Sequence, residues 1–266
     1  MPAMRLTELH CYPVKSAAGI SLPSALLDDR GILNDRRWMV VDEAGNFLTQ
    51  RKIPRMALLH VALEPDHLVV RSEGMDELKI GFSSGPRSIM RVRIWNDAVE
   101  AEDTGDAAAA WFSQMLGRPC RFVSMPQEAV RLVNPKYAGG ERLVSFVDAF
   151  PILLISQASL DDLNARLPHP VLMNRFRPNL VIAGCSPYEE DTWKRIQIGS
   201  ILFRVAKPCE RCAVPSVDQE TGLRGLEPLR TLEAYRTFEG KVMFGQNLIH
   251  DGPGKVNLGD AVTVVA

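Results

Sequence analysis

Short apolar segments separated by turn residues dominate the first third of this chain of 266 residues. Segments 5–12, 37–42, 57–63, 67–71 and 90–95 have the length and partial alternation of β-strands. The turn signal at 43–46 predicts a hairpin whose second strand is 47–50. Many short strands joined by turns are typical of a β-barrel or a β-sandwich.

Helical segments occur among the strands beyond residue 105. Segment 106–116 is rich in helix formers and ends at Gly117, and segment 159–167 follows Ser156, a candidate N-cap. Segment 229–236 is a third helix candidate, and strands are predicted at 179–183, 196–206 and 261–265. The fold class predicted for the whole chain is mostly β with a few helices (α+β).

Charge and hydropathy exclude several functional classes. A formal net charge of -1 gives no global attraction for nucleic acid or for an acidic membrane. The longest apolar runs, such as 151–155, are too short to span a bilayer, and the N-terminal residues do not resemble a secretory signal. The expected location is cytoplasmic, and the odd number of cysteines, five, argues against a disulfide framework.

The most reactive sequence motif is Pro208-Cys209-Glu210-Arg211-Cys212, which follows the strand-like segment 199–206. A cation beside a thiol favours the thiolate, which is the form that binds soft metals. The C-x-x-C spacing alone is compatible with half a zinc site, with a redox dithiol or with two small buried residues. A structural zinc site needs four ligands, and the five histidines show no paired spacing.

Three further segments place polar residues suited to an anionic ligand at strand ends. Lys15 and Ser16 follow Pro13, Arg36 precedes a strand, and Arg177 and Asn179 flank a proline before another strand. Each has an alternative interpretation as ordinary surface polarity. Three more basic residues are candidates to line such a site, and no sequence feature ranks one above another: Arg51, Arg55 and Arg142.

Together these segments resemble one known family, the MOSC-domain molybdenum enzymes, and within it the bacterial YcbX-type proteins and the mitochondrial amidoxime-reducing component. The resemblance covers nearly the whole chain. It is carried by the segments 12–16, 35–38, 176–182, 190–193, 207–212 and 244–248, which occur in the family's order and at similar spacing.

This resemblance implies an N-terminal MOSC β-barrel domain at 1–120 and a MOSC domain at 121–266, with a cofactor cleft between them. The implied cofactor is the molybdenum cofactor (Mo-molybdopterin). Cys212 would be the catalytic residue and the protein ligand to molybdenum, and Cys209 a neighbour. The residues implied to bind the cofactor are Lys15, Ser16, Arg36, Asp148, Arg177, Asn179 and Arg211.

The implied activity is reduction of small N-hydroxylated substrates, such as hydroxylated bases, amidoximes and hydroxylamines. No cysteine follows Cys212 and the chain ends at Ala266, so the C-terminal ferredoxin domain of many YcbX-type chains is not expected. Electrons would then come from a separate protein of ferredoxin, flavodoxin or cytochrome b5 type. Pro215 and Ser216 stand where relatives often carry two threonines, which puts the substrate range in question.

Two other functions remain open at this stage. The chain could store the cofactor, hand it on or move sulfur to it, without turnover of its own. Pyridoxal phosphate is associated with some MOSC proteins through a desulfurase domain, and no segment here supplies that domain. A zinc-binding structural domain is the remaining alternative, and it lacks ligands.

Overall fold

Four β-sheets and a few short helices make up the protein in the computed structural model, which describes residues 3–82, 85 and 87–265. The strands of the first half are β1 (Arg5–Cys11), β2 (Ile20–Ser21), β3 (Ser24–Asp28), β4 (Gly31–Ile32), β5 (Trp38–Val41), β6 (His60–Leu63), β7 (His67–Arg71), β8 (Leu78–Gly81), β9 (Ile89–Ile94), β10 (Asp97–Asp103) and β11 (Arg121–Ser124). Those of the second half are β12 (Ile152–Ser156), β13 (Leu180–Ala183), β14 (Arg195–Ile198), β15 (Ile201–Glu210), β16 (Thr237–Phe238), β17 (Lys241–His250), β18 (Gly254–Asn257) and β19 (Val262–Val264). The mostly β fold class is confirmed.

The helices are α1 (Asp106–Leu116), α2 (Pro135–Ala138), α3 (Gln157–Asn164) and α4 (Leu229–Tyr235), with 3-10 turns at Pro54–Leu58, Met173–Arg175, Glu189–Thr192 and Val214–Ser216. Helix α1 ends where Gly117 adopts a left-handed conformation with φ 66°. Ser156 caps α3, since its hydroxyl accepts a hydrogen bond from the Ser159 N–H. None of the described helices is long and apolar enough to cross a membrane.

One nine-stranded sheet joins the two ends of the chain. Its order is β19-β14-β15-β17-β12-β13-β1-β2, with β16 beside β17. The first strand of the protein therefore pairs with β13, antiparallel, inside a sheet whose other long strands come from the second half. β12 and β13 are parallel, and the remaining pairs are antiparallel.

The three smaller sheets have the orders β5-β11-β10-β9, β18-β3-β4 and β6-β7-β8. Strand β11 pairs with β5 and β10. The boundary between residues 120 and 121 stays a prediction.

The apolar core is divided among clusters that follow the sheets. One lies on the nine-stranded sheet around Leu154 and Phe203, and another lies under α1, where the Phe112 and Phe122 rings stack with centroids 4.3 Å apart. The predicted hairpin at 43–46 is wrong in its second strand: within the described ranges, Phe47 makes an isolated bridge to Val41 and Leu48 N–H bonds to the Val40 carbonyl, but 47–50 forms no strand. The predicted strand 57–63 begins as a 3-10 turn at Pro54–Leu58, and β6 forms only from His60.

Candidate functional site

A single row of paired residues crosses the nine-stranded sheet and brings distant segments to one end of it. Leu9 pairs with Leu180, Leu180 with Leu154, Leu154 with Gln246, and Gln246 with Pro208. The segments that adjoin this row are 11–16, 148–153, 176–179 and 209–212. Pairing register, rather than closeness in sequence, therefore assembles the predicted site.

These segments surround an open cleft. All eight residues that the sequence assigned to the site line it, namely Lys15, Ser16, Arg36, Asp148, Arg177, Asn179, Arg211 and Cys212. The other lining side chains include Arg51, Leu153, Phe176, Cys209, Glu210, Val214 and Asn247.

The cysteine motif enters the cleft through an irregular end of β15. The pairing of β15 with β17 shifts register between Val205 and Lys207 and again between Pro208 and Glu210. Proline lacks an N–H donor and is tolerated at such bulges. The strand continues through Glu210, further than the sequence predicted, so Cys209 lies within it and Cys212 lies in the loop that follows. Both thiols are free and half-buried.

Each thiol has its own guanidinium neighbour. Arg211 Nη1 donates to Cys209 Sγ at 3.1 Å, whereas Cys212 Sγ accepts from Arg51 Nη1 at 3.6 Å. The cation inside the motif thus faces the first cysteine, and the cation facing the second comes from a turn 161 residues away in sequence.

A buried lysine and a carboxylate lie beside Cys212. Lys15 Nζ donates to Asp148 Oδ1 at 2.7 Å and to the Phe146 carbonyl at 2.7 Å, while Arg51 Nη1 reaches Asp148 Oδ2 at 3.3 Å. Burial lowers the pKa of Lys15 to about 8, with Asp148 opposing part of the shift. Desolvation acts to raise the pKa of Asp148, but the Lys15 and Arg51 charges outweigh it and hold that pKa below its ordinary value. At neutral pH the group therefore carries both cations and the carboxylate.

Two arginines pack against one buried tyrosine. The guanidinium carbons of Arg36 and Arg177 lie 4.3 Å and 4.4 Å from the centroid of the Tyr12 ring. Burial, followed by the charge of Arg36, lowers the pKa of Arg177 to about 10, and burial raises the pKa of Tyr12 to about 12. Arg36 is paired with its sequence neighbour Asp35, whose side chain is buried.

Asn179 makes every hydrogen bond that its amide can make. Its Oδ1 accepts from Arg36 Nη1 at 3.1 Å and from the Leu153 N–H at 3.2 Å. Its Nδ2 donates to Asp35 Oδ1 at 3.0 Å and to the His10 carbonyl at 3.2 Å. A primary amide has two donor hydrogens and an oxygen with two lone pairs, so the protein itself satisfies this side chain. Asn179 lies in the cleft wall, where it joins β1, β12 and the loop that carries Arg36.

The cleft has more positive than negative side chains. Its cations are Lys15, Arg36, Arg51, Arg177 and Arg211, and its carboxylates are Asp148 and Glu210. Within the described part of the chain, neither Arg177 nor Arg211 forms an ion pair: Arg177 donates to the Ala17 carbonyl, and Arg211 to the Phe176 carbonyl and Cys209. Arg211 Nε is buried and has no hydrogen-bond partner among these residues. Such an arrangement suits a ligand that carries negative charge.

The backbone at the site is unusual. Ser16, Arg36 and Arg177 have positive φ angles of 68°, 49° and 58°. Residues other than glycine rarely adopt this conformation, which concentrates at ligand-binding and catalytic sites. Three separate loops therefore hold cleft residues in a conformation that local sequence does not favour.

The sequence left the most important additional residue unranked. Arg51 lies in the cleft, and its guanidinium carbon is 4.4 Å from the centroid of the Trp95 ring. The Nε1 of Trp95 in turn donates to Asp148 Oδ1 at 3.2 Å. Arg55 is exposed outside the cleft, and Arg142 lies 3.8 Å from Asp251 at a different cavity. Neither Arg51 nor Trp95 has a local signal that separates it from other surface arginines and tryptophans.

A metal held only by protein side chains does not fit this cleft. Among the residues that the structure describes, no group of three His, Cys, Asp or Glu side chains is placed to hold a metal ion. A structural zinc site needs four protein ligands, so the zinc interpretation has no ligand set in this part of the chain.

Comparison with known proteins identifies two adjoining domain types. Residues 3–119 match the MOSC N-terminal beta barrel domain, and residues 141–263 match the MOSC domain. The chain is 33% identical to mitochondrial amidoxime-reducing component 1 of Mus musculus, over 97% of this chain and 81% of the relative. It is also 33% identical to mitochondrial amidoxime reducing component 2 of Bos taurus, over 97% and 82%. A molybdenum cofactor sulfurase of Oryza sativa subsp. japonica is 34% identical over 91% of this chain, which spans only 32% of that protein.

Proposed function

Because the chain belongs to the family of MOSC-domain proteins that includes the mitochondrial amidoxime-reducing components, we propose that it is a molybdenum cofactor-dependent oxidoreductase. Its proposed substrates are small N-hydroxylated compounds: hydroxylated bases, amidoximes and hydroxylamines. The observation that carries the proposal is the half-buried thiol of Cys212 in a cleft lined by unpaired and partly paired cations.

The residues of the cleft fit this cofactor. The cofactor combines a soft metal, a polar heterocycle and an acidic phosphate. A thiolate suits the metal, and guanidinium groups suit the phosphate. The buried Arg211 Nε has no partner among the described residues and would gain an acceptor.

In this proposal Cys212 Sγ is the protein ligand to molybdenum. Lys15, Arg177 and Arg211 hold the acidic group, with Ser16 beside Lys15. Asp148 keeps Lys15 and Arg51 in place through hydrogen bonds to both. Arg36 and Asn179 support the wall behind them, since their side chains bond mainly to the protein. Phe176, Leu153 and Val214 supply apolar surface that excludes water from part of the cleft.

When bound, the cofactor supplies two-electron oxygen-atom chemistry. The net reaction is R–NHOH + 2 e⁻ + 2 H⁺ → R–NH₂ + H₂O, so the N–O bond breaks and its oxygen leaves as water. The two electrons require a donor, for which we propose a separate redox protein of ferredoxin, flavodoxin or cytochrome b5 type. The cytoplasmic location stays a prediction.

The two cysteines provide a matched test. Purified wild-type protein, Cys212→Ala and Cys209→Ala are compared for molybdenum content and for reduction of benzamidoxime with a chemical reductant. We expect Cys212→Ala to lose activity while remaining folded, and Cys209→Ala to retain measurable activity. Full activity in Cys212→Ala would disprove the assigned ligand, and complete loss in Cys209→Ala would show that the wrong thiol was assigned.

The similarity to molybdenum cofactor sulfurases favours a second candidate, a protein that carries the cofactor or transfers sulfur to it. Amine release measured against protein concentration separates the two functions. An enzyme releases many equivalents of amine per molybdenum, whereas a carrier stops at one.

A further inference from the structure

The loop after the cysteine motif exposes two large apolar side chains beside the cleft. Leu223 and Leu226 are 70% and 71% exposed, the highest values among the large hydrophobic residues that the structure describes. Exposed apolar surface that is rimmed by polar residues often marks a protein interaction site.

This loop is fixed onto the segment that carries Arg51. Arg224 Nη2 donates to the carbonyls of Gln50 and Arg51. The buried Gln50 side chain exchanges two hydrogen bonds with Gln219, at 3.2 Å and 3.1 Å. A methyl group at Gly222 would lie 3.4 Å from Arg55 Cα, which places the turn directly against residue 55. The two leucines are therefore held beside the neighbours of Arg51, whose Nη1 contacts Cys212 Sγ.

The charges around the leucines are predominantly positive. Lys52, Arg55 and Arg224 are exposed, and within the described ranges Lys52 and Arg55 form no ion pair. Two carboxylates of the loop are already paired, Asp218 with Arg175 at 2.6 Å and Glu227 with Arg230 at 2.8 Å. Glu220 is the acidic residue left exposed in this loop. We call Lys52, Arg55, Leu223, Arg224 and Leu226 the docking patch.

We propose that the docking patch is the surface on which an acidic electron-transfer protein binds to reduce the site at Cys212. This inference rests on the proposed function. An apolar centre with a basic rim matches a partner whose redox group is surrounded by carboxylates, because opposite charges steer association and the leucines supply buried area. The reaction consumes two electrons, so a one-electron carrier must dock twice in each turnover. A weak, charge-steered surface permits such rapid exchange.

The test compares two double variants with matched controls. Lys52→Glu/Arg55→Glu reverses the rim, and Leu223→Ser/Leu226→Ser removes the apolar centre. Lys194→Glu/Arg195→Glu and Val130→Ser are the controls, because these residues are exposed and lie outside the cleft lining. Benzamidoxime reduction is driven either by dithionite-reduced methyl viologen or by a purified protein donor. The donors are a plant-type ferredoxin, a flavodoxin and the soluble haem domain of a cytochrome b5. Calorimetry measures binding of each oxidised donor.

We expect both patch variants to keep the viologen-driven rate. With at least one protein donor, kcat/KM at low salt should fall roughly tenfold or more in the charge-reversal variant, and less at high salt. The controls should behave as wild type in every arm. If the wild type does not reduce benzamidoxime with viologen, the proposed function is refuted. Calorimetry would still show whether the docking patch binds an electron-transfer protein.

Three results overturn the docking proposal. The first is that the wild type binds none of the three donors. The second is that protein-driven rates are equal in wild type and both patch variants. The third is a changed benzamidoxime KM in the viologen assay, which would place the patch in substrate binding. A concentration-dependent dimer that Leu223→Ser/Leu226→Ser abolishes would also overturn it, because the patch would then serve self-association.

Discussion

Replacing Asn179 by leucine tests whether this side chain stabilises the folded protein or binds a ligand directly. The side chain is 1% exposed and makes four hydrogen bonds, two of them to the charged residues Arg36 and Asp35. Leucine has a similar volume but no polar atom, so the variant leaves an N–H, a carbonyl and part of an ion pair without their partner.

The expected loss follows from these four bonds. A neutral hydrogen bond contributes about 1 kcal/mol to stability, and one to a charged group about 1.5 kcal/mol or more. The leucine gains about 1 kcal/mol from apolar burial. The net loss is therefore about 4 kcal/mol, which corresponds to a fall in Tm of roughly 10 °C for a protein of this size.

Urea and thermal unfolding measure this loss, and Asn247→Leu is the matched control. Asn247 also lines the cleft, but among the residues that the structure describes its amide donates to the Pro208 carbonyl alone, at 3.4 Å. Its replacement should cost less than about 1 kcal/mol. Equal stability of the two variants, combined with loss of molybdenum from Asn179→Leu alone, would refute the structural role and make Asn179 a direct contact of the cofactor.

Two further predictions concern the buried groups Lys15 and Glu190, and a third concerns the backbone at Gly245. Lys15 has a lowered pKa of about 8, so the native state binds fewer protons than the unfolded state between pH 8 and 10.5 and its stability rises with pH. In urea unfolding, wild type should gain about 2 kcal/mol relative to Lys15→Met between pH 8 and 10, and parallel profiles would contradict this. Burial raises the pKa of Glu190 above its ordinary value of 4.5, so stability should fall as the pH rises above that value. Glu190→Gln should flatten the fall, and an unchanged slope would show that the carboxylate does not cause it. Gly245→Ala places a methyl group 2.6 Å from Ile155 Cγ1 at φ 78°, whereas Gly240→Ala at φ 75° meets nothing within 4 Å. Unfolding should show a loss of about 3 kcal/mol for the first and about 1 kcal/mol for the second, and equal losses would refute the role of packing.

Elements with a local cause were predicted well from the sequence. The bounds of α1 agree because alanine-rich helix formers end at a glycine, and Ser156 caps α3 because its hydroxyl reaches the helix N-terminus. The second hairpin strand at 47–50 was wrong: Leu48 N–H still bonds to the Val40 carbonyl at 2.9 Å and Phe47 bridges Val41, but these contacts do not extend into a strand. Phe47 instead packs its ring against Trp95 at 5.2 Å between centroids. The local sequence pattern carries little information about whether a segment will find a partner strand along its full length.

The site residues were predicted through motifs, and their roles depend on contacts that motifs do not contain. The pairing of Arg51 with Cys212 joins positions 161 residues apart, so the sequence had no means of ranking Arg51 above Arg55. Likewise, the sequence placed Asn179 toward a ligand because it lies two residues from Arg177, on the same side of an extended chain, and that contact stays a prediction. The sequence did not show that the amide also bonds to a carbonyl of β1 and to the Asp35 carboxylate of the neighbouring loop. The insertion of β1 into the sheet of the second half creates both contacts, and this pairing is a property of the whole topology.

That topology also explains why the charged groups of the cleft come so close together. Arg36 belongs to the first half of the chain and Arg177 to the second, and both pack on Tyr12, which follows β1 directly. Because β1 pairs with β13, Tyr12 lies between the loops that carry the two arginines. The like charges of the two arginines and the burial of Lys15 reduce the stability of the protein by itself, and a bound anion would add attractions that offset these costs. A ligand that binds only the native state also stabilises it by mass action. If the proposed function is right, the pairing of β1 with β13 links binding of an acidic cofactor to the stability of the sheet that the two halves share.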